Sequence, residues 1–188
     1  QSLGETESGE VAVLVRNRSH LRLIIKHLEQ AGIAYSGVDI QPLGDVAAVQ
    51  DLVTLSKALC RKTDRISWLA LLRSPLLGLS LDELLSVTQD DIWLALTSQQ
   101  FSQQTTIERL GRFLPVMEQA LWQFQRIPLH VLTRWTWQAL GGEQLLGEAS
   151  SEDIDRVLEI ISGLEVGGDL TSPQALDEAI VQLYAQPK

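Results

Sequence analysis

Two arginines and an asparagine stand together where an apolar run of the chain gives way to polar residues. Arg16, Asn17 and Arg18 follow an apolar run and precede a stretch with helical periodicity. The planar guanidinium of arginine matches phosphate oxygens and keeps its charge at any working pH, so Arg16 and Arg18 are candidates for contacting a phosphate. The alternative is that both are solvated charges at the end of an element, because surface arginines are common.

The elements on either side would hold this turn in a binding position. Residues 11–15 are five consecutive apolar residues, typical of a strand that is covered on both faces. Apolar residues then recur at helical spacing from Leu21 to Leu28, ahead of Gly32, and residues 33–38 predict a second short strand. Ligands of open α/β sheets bind at the carboxyl ends of strands, so the sequence predicts a strand, a ligand-binding turn and a helix.

From residue 45 onward, every periodic segment indicates a helix. The clearest lies between residues 105 and 126, with a kink expected at Pro115. Ser80 and Glu83 have the spacing of a capping box that starts another helix. Residues 166–171 read as a loop, and residues 1–10, which are polar and acidic, as a flexible lead-in. The predicted fold class is mostly α, with a small α/β strand-helix segment followed by a helical bundle.

Charge is distributed unevenly along the chain, whose net charge is −9. Residues 11–75 carry nine Lys and Arg against five Asp and Glu, whereas residues 76–188 carry six against sixteen. The first third can therefore attract a polyanion, while the remainder should repel one. No segment approaches the length of a membrane span, and the start lacks the regions of a signal peptide, which favours a cytoplasmic protein without a membrane partner.

Several kinds of chemistry have little support in the sequence. The three histidines make no metal-ligand pattern, and the single cysteine, Cys60, sits in a helical pattern that favours a structural role. No Gly-x-x-x-x-Gly-Lys-Ser/Thr loop occurs, so nothing here would cradle nucleotide phosphates. Trp122, Trp135 and Trp137 are interpreted as core residues, since stacking platforms for bases normally lie in positive grooves.

The sequence also resembles a known family. The stretch VAVLVRNRSHLRLIIKHLEQAGIAY (residues 11–35) resembles the motif that opens the second RecA-like lobe of UvrD/Rep-like superfamily 1 DNA helicases. These include the helicase subunits of bacterial RecB- and AddA-type exonucleases, to which LLRSPLLGLSLDELL (residues 71–85) and LYAQP (residues 183–187) are similar. The resemblance implies a partial second RecA-like lobe over residues 11–75 and a helical insertion domain over residues 76–188.

The resemblance further implies a nucleotide-binding role. Arg16 would contact the γ-phosphate of ATP, with Val15 at the position beside the adenine. ATP and Mg would be bound by the intact enzyme, and the segment of residues 1–188 would be an internal fragment that cannot hydrolyse ATP alone. No metal ligand is assigned to it.

DNA contacts are implied for Asn17, Arg18, Gly78 and Ser80. The Gly78-Leu-Ser80 stretch aligns with a Gly-Ile-Gly turn by which relatives present backbone amides to duplex DNA. A purely structural turn is the alternative, because Ser80 stands where the second glycine would be. The partners of the intact enzyme would be DNA at a junction of single strand and duplex, and a second exonuclease subunit.

A rival hypothesis comes from a different class of protein. The acidic last two thirds of the chain would suit a self-contained helical adaptor that binds a protein partner and no nucleotide. The two hypotheses differ in whether a nucleotide-binding loop exists elsewhere in the same polypeptide.

Overall fold

Two units, Gln1–Ile40 with Pro187–Lys188 and Gln41–Gln186, are distinguished by their internal contacts. The computed structural model describes residues 13, 15, 18–33, 42–87, 91–98, 101, 103–147 and 149–183. The predicted fold class is confirmed, because helices account for most of the described chain.

The first unit contains helix α1, Arg18–Gln30. Its partly buried residues Ile24, Ile25 and Leu28 share one face, and Gly32 adopts the left-handed conformation with φ +66°, as predicted for the helix end. The strand predicted over residues 11–15 is not formed at Val13 or Val15, and Val13 is 52% exposed. A lone strand has no hydrogen-bonding neighbour, and no pairing partner for these two residues exists in the described part of the chain.

The second unit begins with a 3-10 turn, Leu43–Asp45, followed by α2, Ala47–Cys60, and α3, Arg65–Arg73. Nine of the 14 residues of α2 are buried, which is typical of a central helix surrounded by others. The Asp64 carboxylate accepts a hydrogen bond from the Ser67 amide and so caps α3, as its position ahead of an apolar run predicts.

The middle of the unit contains α4, Leu81–Ser86, α5, Ile92–Ser98, and α6, Gln104–Gln123. The capping box predicted at Ser80 and Glu83 is confirmed. Pro115 lies inside α6, and the helix continues on both sides of it.

The last part consists of α7, Leu129–Ala139, a 3-10 turn, Gly142–Leu145, α8, Ser151–Leu164, and α9, Pro173–Val181. The loop predicted over residues 166–171 is instead a hairpin of β1, Glu165–Val166, and β2, Asp169–Leu170. Both connecting glycines have positive φ, +61° at Gly167 and +78° at Gly168, and this pattern suits a two-residue hairpin turn.

One hydrophobic core runs from Leu43 to Ile180, and α2 lies within it against α3, α7 and α8. The division between the units falls after Ile40, whereas the sequence places a domain boundary after residue 75. Helices on both sides of residue 75 contribute to the same core, so core packing does not separate two domains at that residue. Across the described ranges, no helix is both long and apolar enough to cross a membrane.

Candidate functional site: an arginine-rimmed cleft

The turn predicted to meet a phosphate lies just before α1. Arg16 and Asn17 are outside the described residues, Val15 is half-buried, and Arg18 is the first residue of α1. The first amides of a helix lack partners within it and point toward its N-terminus, where the helix dipole favours an anion. The structure therefore places Arg18 at a helix end of the kind that anions favour.

The second predicted site, the turn that contains Gly78 and Ser80, is closed by its own hydrogen bonds. Gly78 has a φ of +72°, which glycine adopts without strain. Every backbone amide from residue 76 to residue 80 donates within the chain, over distances of 2.6 to 3.4 Å. The acceptors are, in order, the Ser74 hydroxyl, the Ser74 carbonyl twice, the Leu72 carbonyl and the Glu83 carboxylate. These amides are thus occupied and do not present an open cradle for a phosphate.

A carboxylate joins this turn to α6. Glu83 accepts from the Ser80 amide through Oε2, at 2.6 Å, and from the Thr106 hydroxyl through Oε1. The hydrogen bond from Thr106 is the main reason that the pKa of Glu83 lies below its usual value, with further contributions from Ser80 and from the charge of Arg109. Because Thr106 is buried, this contact fixes α4 against α6.

Arg109 reaches back from α6 to the same turn. Its Nη1 donates to the Gly78 carbonyl at 2.7 Å. Arg112 follows one turn later on α6, at the i+3 position that places it beside Arg109. Arg112 makes no hydrogen bond or ion pair with any described residue, and both side chains are exposed.

The two arginines border a cleft of about 380 Å³. One wall is the turn of residues 75–78, the second is α6 with Arg109, Arg112 and Phe113, and the third is formed by residues 139–141 and Leu145. A volume of this size lies within the range of small-ligand pockets, about 300–1,000 Å³. The lining combines apolar residues with the two arginines, so the cleft suits a ligand with an apolar body and a negative group.

The third wall is supported by a buried tryptophan. Trp137 is fully buried beneath Gly142, where an added Cβ would lie 2.2 Å from the Cδ2 and Cε2 atoms of the ring. Gly141, which follows the C-cap residue Leu140 of α7, adopts a φ of +83°. The close approach of backbone to ring therefore requires glycine at residue 142.

The predicted core role is confirmed for Trp137, and Trp135 packs partly buried against the core. It is wrong for Trp122, which is 61% exposed. The guanidinium carbon of Arg126 lies 4.4 Å from the centre of the Trp122 ring, in the geometry of a cation-π contact. Leu121 of α6 and Phe124, which caps the helix end, pack against the core, so Trp122 next to Leu121 faces outward.

The remaining reactive side chains are engaged structurally. Burial is the main cause that raises the pKa of the Cys60 thiol to about 12, so the predicted structural role is supported. His130 contacts Glu165 at 3.1 Å, and His27 contacts the Leu23 carbonyl at 2.7 Å. Among the described residues, no group of three or more His, Cys, Asp and Glu side chains is placed to hold a metal ion.

The structure brings Gly78 and Ser80 together with Arg109, Arg112 and Glu83. The sequence pattern alone does not predict this arginine pair. Its only signal is the i, i+3 spacing of two bases within the acidic half of the chain, and Arg109 and Gly78 are 31 residues apart. Arg16, Asn17 and Arg18 belong to the other unit.

Comparison with known proteins gives no relative to set beside this geometry. No protein-family model matches the chain. Neither a curated protein nor a solved structure matches it.

Proposed function

We propose that the chain is part of an ATP-dependent DNA helicase of the superfamily 1 exonuclease type, acting in DNA repair or recombination. The observation that carries the proposal is the start of α1 at Arg18, directly after Arg16 and Asn17, and its end before the left-handed Gly32. A helix that begins at Arg18 is in keeping with the lobe-opening motif that residues 11–35 resemble. The mostly helical second unit is in keeping with a helical insertion that follows it.

In this proposal, Arg16 stabilises negative charge on the γ-phosphate as it is transferred to water. The phosphate-binding loop and the Mg ion belong to other parts of the intact enzyme. Val15 lies beside the nucleotide, while Asn17 and Arg18 contact the DNA strand.

The second unit acts as a guide for a partner protein rather than for duplex DNA. Two observations favour this assignment. The amides of residues 76–80, including those of Gly78 and Ser80, are hydrogen-bonded within the chain. In addition, residues 76–188 carry sixteen acids against six bases, a balance that repels a polyanion.

The test is the substitution Arg16→Ala in the intact polypeptide that contains this chain. We expect DNA-stimulated ATP hydrolysis to fall by about a thousandfold, the order lost when a transition-state arginine is removed. Lys26→Ala is the matched control, because Lys26 is an exposed base of α1 in the same unit. Unchanged turnover in Arg16→Ala, with a folded protein, would remove the assigned role.

The second candidate is the acidic helical adaptor, favoured by the continuous core of residues 43–180. A unit with its own core can fold and bind a partner without any motor domain. The gene that encodes this chain distinguishes the two functions. A reading frame with a Gly-Lys-Ser/Thr loop upstream supports the helicase, and one that encodes only this chain supports the adaptor.

A further inference from the structure

We propose that the arginine-rimmed cleft binds a short acidic peptide of a partner protein, which inserts an apolar side chain between residues 75–78 and residues 139–145. This inference concerns the second unit alone. It does not depend on the helicase proposal, because either a helical guide or a helical adaptor would bind its partner protein through the cleft.

The interior of the cleft selects for an apolar group. The exposed Pro75 and Ala139 and the half-buried Leu140 and Leu145 line it, and the deeply buried Leu76, Leu77 and Phe113 complete the apolar lining. Filling such a space with a leucine or phenylalanine side chain removes apolar surface from water on both partners. The Gly142 contact with the Trp137 ring holds the far wall in place, so the cleft exists before a ligand enters.

The border of the cleft selects for a carboxylate. Arg109 uses one N–H to bind the Gly78 carbonyl, which positions the guanidinium and leaves other donors available. Arg112 has no described partner, and the nearby Glu108 accepts instead from the Gln104 amide at 3.1 Å. Two adjacent guanidinium groups repel each other, and an acidic ligand between them relieves that repulsion.

Other bases of this acidic half are already engaged. Arg126 lies over Trp122, and Arg134 forms an ion pair with Asp155. Arg109 and Arg112 therefore form a local positive site on a stretch, residues 76–188, that is negative overall, and Arg73 adds a third guanidinium at the Leu79 carbonyl beside the same turn. A peptide with a few carboxylates close to its apolar residue would meet this site and little of the surrounding charge.

Single-stranded nucleic acid fits the cleft less well. Stacking of bases needs an exposed aromatic face, and Phe113, the aromatic residue of the cleft, is only 2% exposed. A long polyanion would also meet the sixteen acids of residues 76–188. Both arguments favour a peptide.

The experiment follows the backbone amide resonances of Gly78 and Gly141 in the full chain during titration with a synthetic peptide. The probe has a central Leu-Phe pair with two aspartates on each side, and its ends are blocked. We expect saturable shifts of both glycine amides. A peptide with lysines in place of the aspartates, and one with Gly-Ser in place of Leu-Phe, should produce no saturable shifts.

Two variants test the two halves of the recognition. Arg112→Glu should weaken binding by at least about tenfold, whereas Lys62→Glu, an equal charge change at another exposed base, should weaken it by less than about twofold. Ala139→Leu should block insertion without any change of charge. Circular dichroism establishes that each variant is folded.

Three results would overturn the proposal. The first is the absence of saturable shifts at Gly78 and Gly141 with millimolar acidic peptide. The second is equal affinity of Arg112→Glu and Lys62→Glu for that peptide. The third is a stronger response to short oligothymidine than to the peptide, which would make nucleic acid the occupant. None of these results bears on ATP hydrolysis by Arg16→Ala, so the two proposals fail separately.

Discussion

In the second unit, α7 and α8 are joined mainly by apolar packing, whereas the contact of α4 with α6 includes a polar link. Residues from both α7 and α8 enter the core, including the fully buried Trp137, Val157 and Ile161. In contrast, no residue of α4 is buried, and a hydrogen bond from Thr106 to Glu83 joins α4 to α6, although α6 itself buries Leu110, Phe113 and Met117 in the core. Apolar packing therefore dominates between α7 and α8, the packed region, while a polar contact helps to set how α4 lies on α6, the polar region. The cleft lies where the two regions meet.

The largest expected effect tests the packed region. Trp137→Ala removes a fully buried ring and should lower the free energy of unfolding by about 3–5 kcal/mol. Trp122→Ala is the control, because that ring is exposed and should contribute about 1 kcal/mol or less. Chemical denaturation measures both. Similar losses of unfolding free energy in the two variants would show that apolar burial does not dominate the packed region.

A smaller effect is expected at the glycine above that ring. Gly142→Ala would place a Cβ 2.2 Å from two atoms of Trp137, and the shift that this forces should cost about 1–3 kcal/mol. Gly163→Ala in α8 meets nothing within 4 Å and should stabilise the protein by up to about 1 kcal/mol. Denaturation midpoints of the pair give the sign of each change. A neutral Gly142→Ala would mean that the wall is free to move.

The free energy of unfolding should depend on pH through Glu83, the carboxylate that joins α4 to α6. Its pKa is lowered in the folded state, so the unfolded state binds more protons as pH falls below about 4.5, the usual value for this group. The stabilisation is therefore present above that pH and is lost as pH falls through the lower pKa of the folded state. Glu83→Ala should cost about 1–2 kcal/mol at pH 7, because the capping box is broken and the buried Thr106 hydroxyl loses its acceptor.

The measurement is unfolding free energy between pH 7 and pH 3 for both proteins. Glu83→Ala should show a flatter dependence than the wild type below pH 5. Glu118→Gln removes an exposed carboxylate from α6 and should change stability little at pH 7. Parallel pH curves for Glu83→Ala and the wild type would contradict the role assigned to this carboxylate.

The smallest effect concerns an exposed polar link inside the packed region. Arg134 of α7 pairs with Asp155 of α8, and both side chains are substantially exposed. Arg134→Ala should cost less than about 0.5 kcal/mol, and that cost should shrink in 1 M salt because exposed ion pairs are screened. A loss comparable to that of Glu83→Ala would show that polar contacts matter equally in both regions. Denaturation at low and high salt provides the test.

Local signals in the sequence predicted much of the helical structure. Ser80 with Glu83, Asp64 ahead of α3, and Ser172 with Pro173 all act within a few residues, so the sequence around each cap specifies it. The strand predicted over residues 11–15 depends instead on neighbouring strands, and an apolar run alone cannot reveal whether they are present. Val13 and Val15 accordingly lie outside any strand.

The cleft could not be predicted in the same way. Arg109 meets Gly78 only because α4 and α6 are brought together in the folded chain. The capping box predicts that Glu83 accepts from the Ser80 amide, but nothing in the sequence predicts that Ser74 and Leu72 accept from the amides of residues 76–79. Partner choice of this kind is decided by tertiary packing, and a motif alone does not encode it.

The indole beneath Gly142 has a consequence for how the protein could vary. Any substitution at Gly142 must displace the ring of Trp137, and so exchanges folding stability for a new shape of this wall. The α6 side carries no such penalty, since Arg112 is exposed and unpaired among the described residues. Changes of ligand preference are therefore expected to accumulate on α6, with the opposite wall left as a fixed template.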